Sequence, residues 1–98
     1  MTNSIIDEEK FNQMSLDEKK NFLNTINECI CDSCDRLIRT LQSDRQLCDL
    51  IKGNLDKENH NFFQILEHNN EMIDFDTKDI IKLITCKVEL EERLKAEE

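Results

Sequence analysis

The sequence predicts an all-α fold, either a long antiparallel helical hairpin that turns at Gly53-Asn54 or a small three- or four-helix bundle. The 98 residues include one glycine and no proline, whereas β sandwiches and barrels use these residues at their turns. Apolar residues recur at spacings of three and four along most of the chain, which is the period of an amphipathic helix. The length fits a single small domain.

The first half of the chain predicts a short helix over residues 4–13, capped by Ser4, and a long helix over residues 16–52. Ser15 and Glu18 form an S-x-x-E capping box at the start of the long helix. Gly53 then stands where a helix C′ glycine is expected. The predicted buried stripe of the long helix consists of Leu23, Ile26, Ile30, Cys34, Leu37, Leu41, Cys48 and Ile51.

A gap of seven residues separates Leu41 from Cys48 in this stripe, and two interpretations compete there. Ser43 could cap a new helix, or one helix could run through with a polar interruption. We favour the continuous helix, because no glycine or proline enforces a break.

The second half predicts a helix over residues 56–70, capped by Asp56, and a last helix over residues 77–96. The sequence DFDT at residues 74–77 predicts a loop followed by a new N-cap. The apolar residues of the last helix are Ile80, Ile81, Leu83, Ile84, Val88, Leu90 and Leu94.

Helix length separates the two candidate architectures. A helix over residues 16–52 is about 55 Å long, whereas a compact globule of this chain length has a diameter of roughly 33 Å. The long helix therefore either breaks near Ser43 and gives a bundle, or stays straight and gives an elongated hairpin. Two helices alone do not cover a wide apolar face, so the hairpin would need helices from a partner.

Composition and charge exclude several classes of function. One glycine cannot supply a phosphate-binding loop or a nucleophile elbow, so we expect no enzyme and no cofactor. The 13 basic and 22 acidic residues give a net charge of −9 without a basic run, so no direct contact with nucleic acid is expected. We expect no membrane partner and a cytoplasmic or nuclear location, since no signal peptide or membrane-spanning stretch is visible.

Four cysteines form the one candidate metal site, a zinc set of Cys29, Cys31, Cys34 and Cys48. On a helix the first two side chains would point about 200° apart, so the thiols could not converge without unwinding. We therefore interpret these cysteines as small apolar residues and expect no metal.

The favoured function is a non-catalytic protein–protein interaction module, a small helical subunit or adaptor that acts through helix packing or self-association. Aromatic and branched apolar side chains on the helices are the candidate contacts, as at interface hot spots. They are Ile38, Phe63, Phe75, Ile81 and Leu94. The alternative is a compact acidic inhibitor or mimic that blocks a basic, nucleic-acid-binding surface of another protein.

Overall fold

A computed structural model describes residues 7–55 and 60–97. These residues form α1 (Glu8–Gln13), α2 (Leu16–Gly53) and α3 (His60–Glu97), and they contain no strand. Helices α2 and α3 pack against each other in an antiparallel hairpin, and the molecule measures 63 × 25 × 15 Å. The elongated hairpin is therefore the architecture that forms. We call the end where α2 begins and α3 ends the open end, and the opposite end the closed end.

The capping box at the start of α2 is confirmed. The Ser15 hydroxyl accepts a hydrogen bond from the Glu18 N–H at 3.2 Å, and the Ser15 N–H donates to the Glu18 carboxylate at 3.4 Å. Beyond it, α2 runs unbroken past Ser43, as predicted. Ser43 caps no new helix, because its hydroxyl accepts a hydrogen bond from the Asn69 amide of α3 at 3.4 Å.

The prediction of a C′ glycine at Gly53 is wrong, although α2 does end there. Gly53 is the last helical residue, and no residue in the described ranges has a positive φ. Asn54 ends the helix instead, because its N–H donates to the Ile51 carbonyl at 3.0 Å and its side-chain amide to the Leu50 carbonyl at 2.8 Å. The polar side chain of Asn54 therefore satisfies a terminal carbonyl that a glycine turn would have satisfied through the backbone.

Helix α1 has Asp7 as its N-cap. The Asp7 carboxylate accepts hydrogen bonds from the N–H groups of Glu9 at 3.1 Å and Lys10 at 3.3 Å. The predicted caps Ser4 and Asp56 both lie outside the described residues.

The predicted loop at residues 74–77 is wrong, because α3 is helical throughout. The two aspartates of this segment have partners other than the helix N–H groups that an N-cap would use. Asp76 is fully buried and accepts a hydrogen bond from Arg36 of α2 at 3.4 Å. Asp74 pairs with Lys78 one turn further along α3 at 2.9 Å. The predicted helices over 56–70 and 77–96 are therefore one helix from His60 onward.

The apolar core lies at the open end, where α1 packs against the two long helices. Its buried members are Phe11, Ile26, Cys86, Leu90 and Leu94. The ammonium of Lys19 lies 4.6 Å from the centre of the Phe11 ring, and the guanidinium of Arg93 lies 5.2 Å from it. These cations enclose the ring that anchors α1.

Arg93 also ties α1 to α3 through charge. Its guanidinium donates to both carboxylate oxygens of Glu8, and to Glu89 at 2.7 Å. The hydrogen bond from Arg93 lowers the pKa of Glu8 and raises that of Arg93. The pairing therefore stabilises the fold at pH values above the usual pKa of a glutamate. This contribution is lost as the pH falls through the lowered pKa of Glu8.

We predict that Leu90→Ala lowers the free energy of unfolding by about 2–5 kcal/mol, because Leu90 is fully buried and its removal leaves a cavity. Ile81→Ala is the matched control, since Ile81 is exposed on the same helix. Urea unfolding followed by circular dichroism measures both. Equal losses in the two variants would contradict the position of the core.

Candidate interaction surface

Burial along both long helices repeats every seven residues, as in a coiled coil. We write the repeat as abcdefg, with a at the residues that form the seam between α2 and α3. On α2 these are Lys19, Ile26, Ser33, Thr40 and Leu47, and on α3 they are Phe62, Asn69, Asp76, Leu83, Leu90 and Glu97. All are buried except the half-buried Thr40, Phe62 and Leu83 and the exposed Glu97.

Many of these seam positions are polar, and their side chains bond across the seam. In the middle of the hairpin Ser33 donates to Asp79 at 2.8 Å, and Arg36 contacts Asp76 at 3.4 Å and Asp79 at 3.8 Å. One oxygen of the Asp76 carboxylate is buried without a hydrogen-bond partner among the described residues. Buried polar groups stabilise only one alignment, so this layer fixes the register of the two helices.

Two further polar contacts fix the seam nearer its ends. The Asn69 amide donates to Asp44 at 2.7 Å toward the closed end. Lys19, which is buried, forms an ion pair with Glu97 at the open end. Polar contacts therefore hold the register along the length of the hairpin.

The apolar stripes of α2 and α3 are not centred on the seam. At about 100° per residue, position e lies about 40° from a, and position b about 100° from it in the same direction. About half of the large apolar residues of the hairpin occupy these two positions. At e they are Leu16, Leu23, Ile30, Leu37, Ile51, Leu66, Ile73, Ile80 and Leu94, and at b they are Leu41, Phe63 and Ile84, beside Cys34 and Cys48. We call the b and e positions of α2 and α3 together the open face.

The open face of both helices lies on the same side of the hairpin. A groove of about 440 Å³ near the open end is lined by Lys20, Leu23 and Asn24 of α2 and by Glu91, Leu94 and Lys95 of α3. These are b, e and f positions of both helices. Helix α1 bonds instead to Arg93, which occupies position d of α3. The e residues are mostly half-buried, and Leu41, Phe63 and Ile84 are 49%, 63% and 45% exposed.

Charged side chains are distributed differently on the open face and on the opposite side of the hairpin. Within the described ranges, the charged residues of the open face are two basic and two acidic side chains, so the face has no net charge, whereas the whole chain carries −9. They are Lys20, Lys87, Asp44 and Glu91. The c and g positions of α2, on the opposite side, carry five acidic side chains and only Arg39 as a base. The five are Glu18, Glu28, Asp32, Asp35 and Asp49.

The structure does not bring the five predicted contact residues together. Phe63 lies on the open face, whereas Ile38 and Ile81 occupy f positions beyond its edges and Phe75 lies at g on the opposite side. Leu94 occupies an e position of the open face, but it is only 7% exposed and packs with the core that contains Phe11.

Sequence reasoning missed Leu41 and Ile84 as exposed members of one surface. It placed Leu41 in the buried stripe of α2, because an apolar stripe alone does not show which part of it a second helix covers. The residue types gave no signal for the seam, because Lys19 and Ser33 are polar and are marked out only by their burial against α3.

The cysteines of the candidate zinc set are spread along α2. Cys29 and Cys31 are exposed at d and f, and Cys34 and Cys48 occupy b positions about 21 Å apart along the helix. No group of histidine, cysteine, aspartate or glutamate side chains in the described ranges is arranged to hold a metal ion. Cys86 is buried. Its burial is the main cause that raises the pKa of its thiol, and the negative charge of Glu89 raises it further.

No helix within residues 7–55 and 60–97 is long and apolar enough to cross a membrane. Comparisons of the chain with protein-family models, with curated proteins and with solved structures give no match. The function is therefore argued from the residues of the hairpin itself.

We predict that Arg36→Met lowers the free energy of unfolding by about 1–3 kcal/mol, because it removes the cation that contacts the buried Asp76 carboxylate. The double variant Arg36→Met/Asp76→Leu should recover most of this loss, since no buried charge then remains. Urea unfolding measures both.

Lys78→Met is the matched control, because it breaks the exposed ion pair with Asp74 on α3 and should cost about 0.2–1 kcal/mol. If Arg36→Met costs no more than this control, the polar layer does not hold the seam.

Proposed function

We propose that this protein is a non-catalytic interaction module, a small helical subunit or adaptor that binds other helices through its open face. The observation that carries the proposal is the offset between the apolar stripes and the seam. Each long helix has its apolar stripe centred near e, and α2 and α3 cover only the a side of it for each other.

The size of this surface supports the same conclusion. The open face follows two helices of 38 residues, each about 57 Å long. The largest apolar patch on a typical monomer is roughly 300–600 Å², and larger ones mark binding sites. Covering such a surface stabilises an assembly by about 25 cal/mol per Å² of apolar area removed from water.

The polar clusters of the hairpin support a structural role rather than catalysis. Ser33, Arg36 and Asp79 bond to one another across the seam, and Asn69 bonds to Ser43 and Asp44. These polar side chains therefore hydrogen-bond to one another. The exposed thiols of Cys29, Cys31 and Cys48 suit a reducing compartment, consistent with a cytoplasmic or nuclear location.

One observation favours a second candidate, an acidic module that blocks a basic surface of another protein. The acidic side chains at the c and g positions of α2 would then form the contact, and binding would weaken strongly with salt. Binding through the open face would depend much less on salt, since that face has no net charge.

The natural cysteines provide a test that needs no substitution. Cys48 lies on the open face and Cys29, at position d, points away from it, and both are exposed in the hairpin. We predict that a maleimide added to intact cells modifies Cys48 about tenfold more slowly than Cys29, a factor that corresponds to ~1.4 kcal/mol. Mass spectrometry of the labelled peptides measures both sites in one sample.

The denatured chain is the control, because all five cysteines should then react at similar rates. In the folded chain Cys86 should react slowly in every sample, since it is buried and its thiol pKa is raised. Equal labelling of Cys48 and Cys29 in cells would contradict binding through the open face.

A further inference from the structure

We infer that the occupant of the open face is a second copy of this chain, so that two hairpins pack into a four-helix bundle. This inference rests on the proposed function and adds the identity of the partner. It follows from the angles at which the seam and the open face lie on each helix, and from the placement of charge on that face.

In a four-helix bundle each helix has two neighbours roughly at right angles, and the centre of its apolar stripe points between them. Here the a positions face the other helix of the hairpin. The b positions lie about 100° away, where a second neighbour would pack, and the e positions lie between the two at about 40°. Both α2 and α3 have this arrangement on the same side, so each long helix has room for one more neighbour.

The charged residues at e select how two copies align. Asp44 and Lys87 are the charged e residues in the described ranges, and they lie on opposite sides of the midpoint of the hairpin. Each is about 13–14 Å from the middle of its own 38-residue helix. A two-fold axis across the long dimension therefore places Asp44 of one copy in the same layer as Lys87 of the other.

The alternative two-fold axis, along the length of the hairpin, would place two Asp44 side chains in one layer and two Lys87 side chains in another. Like charges in a shared layer disfavour that arrangement. The two hairpins are therefore expected to pack with the open end of one against the closed end of the other.

The area of the open face and its net charge both permit a stable dimer of two hairpins. A face about 57 Å long and about 20 Å wide gives each copy roughly 1,100 Å² of contact, above the ~800 Å² per partner of stable interfaces. The open face has no net charge, so two copies do not repel there despite the −9 on each chain.

Sedimentation equilibrium of the purified full-length chain tests the inference. The wild-type chain should have twice the 11.6 kDa mass of one chain. Leu41→Lys, which places a charge on the open face at an exposed position of α2, should raise the dissociation constant about 100-fold (~2.7 kcal/mol). Phe75→Lys is the matched control, since Phe75 is exposed on the opposite side, and it should leave the mass unchanged. Circular dichroism checks that both variants remain helical.

The orientation has its own test. Lys87→Asp should raise the dissociation constant about tenfold, because two acidic side chains then share a layer. Adding Asp44→Lys also removes the seam bond from Asn69, so recovered association in the double variant would show that residues 44 and 87 meet across the interface.

A wild-type chain with the mass of one copy at every concentration would overturn the inference. Loss of the dimer in Phe75→Lys but not in Leu41→Lys would also overturn it. If the purified chain is monomeric and Cys48 is nevertheless protected in cells, the partner is a different chain and the proposed function still holds. If Cys48 is reactive in cells as well, both proposals fail.

Discussion

The polar side chains in the seam between α2 and α3 are the constraint on which the rest of the structure depends. Ser33, Asn69 and Asp76 occupy positions that a two-helix pair buries most deeply, and each bonds across the seam. Because buried polar groups are costly unless their partners are in place, one register of the helices is favoured over its neighbours. In this register the apolar stripes of both helices lie on the same side of the hairpin.

The short helix α1 adds apolar contacts to the hairpin only at the open end. Phe11 adds an aromatic ring to the core there, and the bonds between Glu8 and Arg93 hold α1 beside position d of α3. The same core includes Leu94, which occupies an e position of the open face. The middle of the hairpin is held instead by the polar layer around Arg36 and Asp76.

Local signals in the sequence predicted the elements better than their packing. The capping box at Ser15 and the absence of glycine and proline in α2 are local features, so the long helix could be predicted. The predicted break at residues 74–77 failed because Asp76 resembles an N-cap in sequence, whereas its partner is Arg36, 40 residues away.

The candidate interaction surface could be predicted only in part for the same reason. Phe63 is exposed and Leu94 is buried, but the sequence does not distinguish them, because both are apolar residues at helical spacing. Which of them is buried depends on where the seam runs. The seam is fixed by polar contacts between residues that are far apart in the sequence, and a stripe of apolar residues does not reveal them.

Small-angle X-ray scattering on the full-length chain tests most directly whether the long open face is covered. Forward scattering gives the mass, and the distance distribution gives the length of the particle. Packing of a second copy on the open face predicts the mass of two chains with a length close to the 63 Å of one hairpin, since side-by-side packing adds thickness only. The mass of a single chain, or two chains with a length near twice that of the hairpin, would contradict coverage of the open face by a second copy.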